Sequence, residues 1–131
     1  MRRQGWELVL ADYLLAKPEF RWGVNDCALW VSSFCDAVTG SDHARMWLGR
    51  YHDEAGAMAL MAERGYANPE AIADANLKPI PVQLARRGDC VLHPQGSQSL
   101  GLCDGRRSYF LTEERGLIAW PTLKCLKAWE I

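Results

Sequence analysis

Five cysteines (Cys27, Cys35, Cys90, Cys103 and Cys125) and three histidines (His43, His52 and His93) are the residues of this chain best suited to act as nucleophile, base or metal ligand. One of them stands in a context built for reactivity. In Phe20 to Val38, FRWGVNDCALWVSSFCDAV, a turn-forming segment feeds Cys27 directly into the first turn of an apolar helix. Trp22, Gly23, Val24 and Asn25 make a poor helix interior, whereas Cys27, Trp30, Val31, Phe34, Cys35 and Val38 recur at helical spacing and form one stripe. Asn25 or Asp26 is therefore the N-cap, its side-chain oxygen accepting from a backbone N–H of the first turn. At the positive end of the helix dipole a thiolate is favoured over a thiol, so the pKa of Cys27 is expected below its free value of about 8.5. That would make Cys27 a nucleophile. The plain alternative is a core cysteine, because Cys27 also lies on the apolar stripe and cysteine is among the most commonly buried residue types.

The five cysteines are an odd number, widely spread and without a C-x-x-C pair, so they fit neither a disulfide framework nor a zinc ribbon. Cys90, Cys103 and Cys125 could still converge on a metal or cluster if the strands that carry them were neighbours. His43 and His52 fall in a stretch, Ser41 to Tyr51 and beyond, without clear periodicity, and read as solvent-facing loop residues.

The elements that must position these groups follow in two blocks. A helix is expected from about Gln4 to Ala16, with Trp6, Val9, Leu10, Tyr13 and Leu14 on one face and Lys17-Pro18 as its end. The Cys27 helix should stop near Thr39-Gly40, where glycine can take the left-handed cap. Asp53 to Arg64, closed by Gly65, and a short helix opened by Asn68-Pro69 complete the helical block. After Lys78-Pro79-Ile80-Pro81 the grammar changes to short apolar runs between glycines and turns. Strands are expected at Val82–Leu84, Asp89–His93, Ser99–Cys103, Ser108–Leu111, Gly116–Trp120 and Leu123–Trp129, with Asp104-Gly105 closing a hairpin. Helices first and an antiparallel meander second make the class α+β. A chain of 131 residues suits one domain, residues 1–131, with a helical half over about 1–77 and a β half over about 80–131.

Composition excludes little. A formal net charge of -1 gives no reason to expect nucleic acid or an anionic membrane as partner. No apolar run reaches the roughly 20 residues that span a bilayer, and acidic residues interrupt the apolar part of the N-terminal segment, unlike a signal peptide. Folding in a cytoplasm is expected.

WGVNDCALW resembles the nucleophile segment of the NlpC-type papain-like cysteine peptidases, in which an Asp-Cys pair opens a helix after a tryptophan- or glycine-containing turn. Arg86-Arg87-Gly88-Asp89-Cys90-Val91-Leu92 looks like the Gly-Asp start of that family's sheet. The next family strand carries the catalytic histidine just before an apolar-Gly-apolar run, and the matching run here is Ser99-Leu100-Gly101-Leu102-Cys103-Asp104-Gly105. Serine occupies the histidine slot. The family's third polar position would fall near Tyr109 to Leu111, where no His, Asn or Gln stands. A cysteine peptidase needs an imidazole to hold the thiolate and to protonate the leaving amine, and Ser99 can do neither near neutral pH. His93 is the one candidate to substitute, if the Pro94 to Gln98 loop folds back; otherwise it is an exposed strand-end histidine.

Short NlpC-type chains of this pattern resemble domains of bacteriophage tail modules. The resemblance implies a papain-like fold and a structural or assembly component of a tail tip or baseplate, built in the host cytoplasm and carried in the virion. It also implies tail hub and tip proteins as partners and no cofactor. Two alternatives stand beside this: an active murein endopeptidase on peptidoglycan, with Cys27 as nucleophile, His93 as base, Asp26 as helix cap and backbone N–H groups near Cys27 as oxyanion donors; and a tail component binding a metal cluster through Cys90, Cys103 and Cys125.

Overall fold

The computed structural model describes residues 1–96 and 99–131. Among them are four α-helices and one six-stranded antiparallel sheet, so the class is α+β as expected. No helix among the described residues is long and apolar enough to cross a membrane.

Helix α1, Trp6–Leu15, follows Gly5 and ends where Lys17 turns to a φ of 49° before Pro18. Helix α2, Cys27–Thr39, starts on Asp26 and ends on Gly40, whose φ of 77° is the left-handed cap that glycine adopts at least cost. Leu29, Trp30, Val31, Phe34, Cys35 and Val38 are its buried residues, close to the stripe read from spacing. Tyr13 of α1 packs its ring edge-on to Phe34, 5.4 Å between centroids, which supplies the partner that the apolar face of α1 required. Helices α3, Glu54–Glu63, and α4, Pro69–Asn76, are capped by Asp53 and Asn68, each accepting from the backbone N–H three residues on.

The strands are β1 (Lys78–Ile80), β2 (Cys90–Leu92), β3 (Leu100–Cys103), β4 (Arg107–Thr112), β5 (Gly116–Pro121) and β6 (Ala128–Glu130). Their order is β1-β6-β2-β3-β4-β5. Three expectations are corrected here. Val82–Leu84 is a 3₁₀ turn, since Pro81 starts it and the carbonyls of Pro81 and Val82 accept from Leu84 and Ala85. Of the expected last strand only Ala128 and Trp129 fall in β6, because Thr122–Lys124 forms a further 3₁₀ turn after Pro121. Lys78–Ile80, where no strand is expected, is the edge strand β1, a place where Pro79 costs the ladder nothing on its open side.

The meander holds from β2 to β5 and then breaks. Instead of adding beyond β5, β6 returns to the other side of β2, setting Trp129 opposite Cys90. Strand β2 is fully buried, Cys90, Val91 and Leu92 alike, and needs hydrogen-bond partners on both edges. Its alternating side chains then serve two cores. Cys90 and Leu92 join Leu100, Leu102, Leu111 and Trp129 against α2, while Val91 joins Cys103, Phe110, Cys125 and Ala128 on the opposite face.

Asp89 ties Arg2 and Ile131 to the start of β2. Its buried carboxylate takes Arg2 Nη2 at 2.6 Å, the N–H of Ile131 at 3.1 Å and the N–H of Arg86 at 2.8 Å. The Gly-Asp pair is thus an architectural device in this chain.

Candidate functional site

Asp26 builds the site from below. Its Oδ1 accepts from Leu29 N at 3.0 Å, and its Oδ2 accepts from Gly23 N at 3.1 Å and from the Tyr51 hydroxyl. One carboxylate therefore starts α2, closes the Trp22-Gly23 turn and pins the loop that carries Tyr51. Gly23 is obligatory at this point: with a φ of 76°, a Cβ would lie 1.7 Å from the Tyr51 carbonyl oxygen. The neighbouring negative charge and burial push the Tyr51 hydroxyl far above its ordinary range, burial being the larger cause.

Cys27 is half-buried in the first turn of α2 and lines a cleft of about 320 Å³. Phe20, Trp22, Trp47 and Tyr51 give the cleft aromatic walls, Met58, Met61 and Ile72 add aliphatic ones, and Ser99 and Leu111 close it from the sheet. Glu54, Glu113 and Glu114 stand around it, and Trp22 Nε1 donates to Glu113 Oε2 at 3.1 Å.

The structure brings Cys27, Asp26 and Ser99 together. The Cys27 thiol is pushed up to about 11, chiefly by burial and also by the Asp26 carboxylate, against hydrogen bonds from the backbone of Leu100, the Ser99 side chain and the backbone of Ala28 that act the other way. The expected depression by the helix dipole is therefore overturned: a desolvated sulfur beside a carboxylate stays protonated.

His93 is not brought to this sulfur. It follows Leu92, whose side chain faces α2, so its own ring turns to the other face, edge-on to Phe110 at 5.0 Å and to Trp120 at 5.4 Å. Its Nδ1 accepts from Gln95 N at 3.0 Å, and burial lowers its pKa. Of the loop that was to fold it back, Ser97 and Gln98 lie outside the described residues. His52 is exposed just beyond Tyr51, and His43 opens the 3₁₀ turn Ala44–Met46 that Asp36 caps.

The metal-cluster reading is corrected. Cys90 lies in the core against α2, whereas Cys103 and Cys125 lie in the core on the opposite face of the sheet. Among the described residues no group of three or more His, Cys, Asp or Glu side chains is arranged to hold a metal ion.

Raised thiols make stability fall in alkali. Cys27 and Cys125 both move from 9.0 to about 11 on folding, so between those values the unfolded chain sheds protons that the folded chain retains. Their effect is absent below pH 9, and stability drops as pH rises from there toward 11. Urea midpoints at pH ~7.5 and ~10.5 measure it, and Cys27→Ala should shrink the difference.

Asp26, Cys27 and Ser99, singled out in the sequence, stand together at this cleft, whereas Tyr51 and the three glutamates were not singled out. Nothing local marks Tyr51, because its role comes from a contact 25 residues away. The chain belongs to the family described as a domain of unknown function (DUF6950), whose model matches residues 1–131. Neither the curated proteins nor the solved structures contain a match.

Proposed function

We propose that this chain is a papain-like domain of the NlpC type that has lost its catalytic base and works as a structural or assembly part of a bacteriophage tail tip or baseplate. One observation carries the loss of catalysis. The sulfur at the head of α2 has the Ser99 hydroxyl as neighbour where proton transfer needs an imidazole, and its pKa is pushed up to about 11. The papain-like reading is supported by a cysteine opening a helix that packs on an antiparallel sheet. The tail assignment rests on the resemblance of WGVNDC and of the Gly-Asp and Leu-Gly-Leu segments, which is fold-level analogy.

A domain without its base is no longer tied to a substrate, yet its core persists when neighbouring subunits pack on it. The partners under this reading are tail hub and tip proteins. Mass spectrometry of purified particles, from a phage that encodes this chain, should find it in mature tails. Its absence there would replace the structural role with a transient assembly factor or a lysis enzyme. Incubation with muropeptides should give no cleavage above a Cys27→Ala control. Robust cleavage lost in that variant would establish the murein hydrolase reading instead, and His93→Ala would then show whether His93 serves it.

A further inference from the structure

The two ends of the β4–β5 hairpin carry opposite charge. At one end, Thr112 is followed by Glu113, Glu114 and Arg115, the two glutamates bordering the aromatic cleft together with Glu54, and no Lys, Arg or His is among the described residues that line the cleft. At the other end Arg106 and Arg107 are exposed, and Lys124 is exposed on the 3₁₀ turn that Arg106 anchors through its carbonyl to Thr122 N at 2.8 Å. The six residues of β4 set the two ends about 17–20 Å apart. Two large apolar side chains accompany the basic end, Leu123 at 74% and Leu84 at 66% exposure, on 3₁₀ turns in contact with each other. Asp104, the acid beside them, is held by Arg87 at 2.8 Å.

We propose that copies of this chain associate head to tail, the Arg106, Arg107, Lys124 and Leu123 end of one entering the acidic aromatic cleft of the next. The chemistry matches group by group. Arginine and lysine stems lie on aromatic faces such as Trp22 and Phe20 while their heads reach carboxylates, and a leucine suits the walls formed by Met58, Met61 and Ile72. Such a contact joins two different surfaces, and it is heterologous where each pair of copies makes it once. Each docked copy leaves one cleft and one basic end open, and the series closes into a ring or runs on as a filament according to the rotation per step. This inference stands apart from the tail assignment: a chain that self-associates need not belong to a tail, and a tail component need not self-associate.

Sedimentation equilibrium of the full chain tests it. At low salt the weight-average mass should rise with concentration to at least about twice the 14.8 kDa of one copy, and should return toward one copy near 1 M salt, where the screening length falls to about 3 Å. Two variants separate this interface from one that joins like surfaces. Glu113→Ala/Glu114→Ala disables the cleft, Arg106→Ala/Arg107→Ala disables the basic end, and each alone should stay monomeric. An equimolar mixture should reach dimers and stop, since the first variant still offers a basic end and the second still offers a cleft. Circular dichroism checks that each is folded; if the glutamate pair is not, Glu114→Ala alone, paired with Leu123→Ala, gives the same design. A monomeric wild type at every concentration in low salt overturns the proposal and leaves the cleft to a different basic partner. So does a mixture of folded variants that remains monomeric, or association that survives in both variants separately.

Discussion

Asp89→Ala is expected to cost about 3–5 kcal/mol, a third or more of the stability of a typical domain. The reason is what the substitution leaves behind. Arg2 and Asp89 expose only 7% and 1% of their side chains, so the guanidinium would stay buried without its counter-charge. The N–H groups of Arg86 and Ile131 would also lose their acceptor. Arg2 retains its bonds to the carbonyls of Ile131 and Arg87 and its place over Trp6, so it has no easy route to solvent. Denaturant midpoints read the loss, and the double variant Arg2→Met/Asp89→Ala should be less damaging than the sum of the single changes, because it removes the orphaned charge. A loss below about 1 kcal/mol for Asp89→Ala would mean that the pair behaves like an exposed ion pair.

Asp89 also marks where reading the sequence falls short. Gly88-Asp89 is legible as the start of a sheet, since a turn glycine precedes an apolar run, but its partners lie 87 residues upstream and 42 downstream. The helices were legible for local reasons. Asp26, Asp53 and Asn68 each cap within three residues, and Gly40 and Gly65 stop the chain in the left-handed region, so their information is contained in a single turn. The sheet was legible strand by strand but not in its order, because the return of β6 to β2 is decided by the need of Cys90 to Leu92 for two partners. Short runs flanked by prolines misled in both directions: Val82–Leu84 and Thr122–Lys124 became 3₁₀ turns, and Lys78–Ile80 became a strand.

For the site, the cap and the cysteine were legible and the electrostatics were not. The helix dipole is a property of the segment, whereas burial and the approach of Tyr51 to Asp26 are tertiary. They outweigh it, since desolvation alone can move a buried thiol by units of pKa and the dipole contributes about 1 kcal/mol or less. The place of His93 follows from strand parity. Leu92 and His93 are consecutive, so a sheet with two covered faces must send them to different cores.

Ser99→His should convert Cys27 from an inert thiol into a reactive one. Ser99 already hydrogen-bonds to the sulfur, and the adjoining cleft of about 320 Å³ has room for a larger ring to turn into. An imidazole there can take the thiol proton and hold the thiolate as an ion pair, which neither the hydroxyl nor the helix end achieves against burial. Each unit by which the thiol pKa falls from about 11 multiplies the thiolate fraction at neutral pH tenfold. The gain in rate is smaller, because a less basic thiolate is also a weaker nucleophile, with a sensitivity of about 0.4–0.5. Alkylation by iodoacetamide at pH 7 should therefore speed up by about 100-fold or more. The other four cysteines are buried, and the same measurement on Cys27→Ala subtracts whatever they contribute. Ser99→Ala should move the other way, slowing alkylation further by removing a bond that favours the thiolate. An unchanged rate in a folded Ser99→His protein would show that residue 99 does not face the sulfur, and the account of a missing base at that position would fall with it.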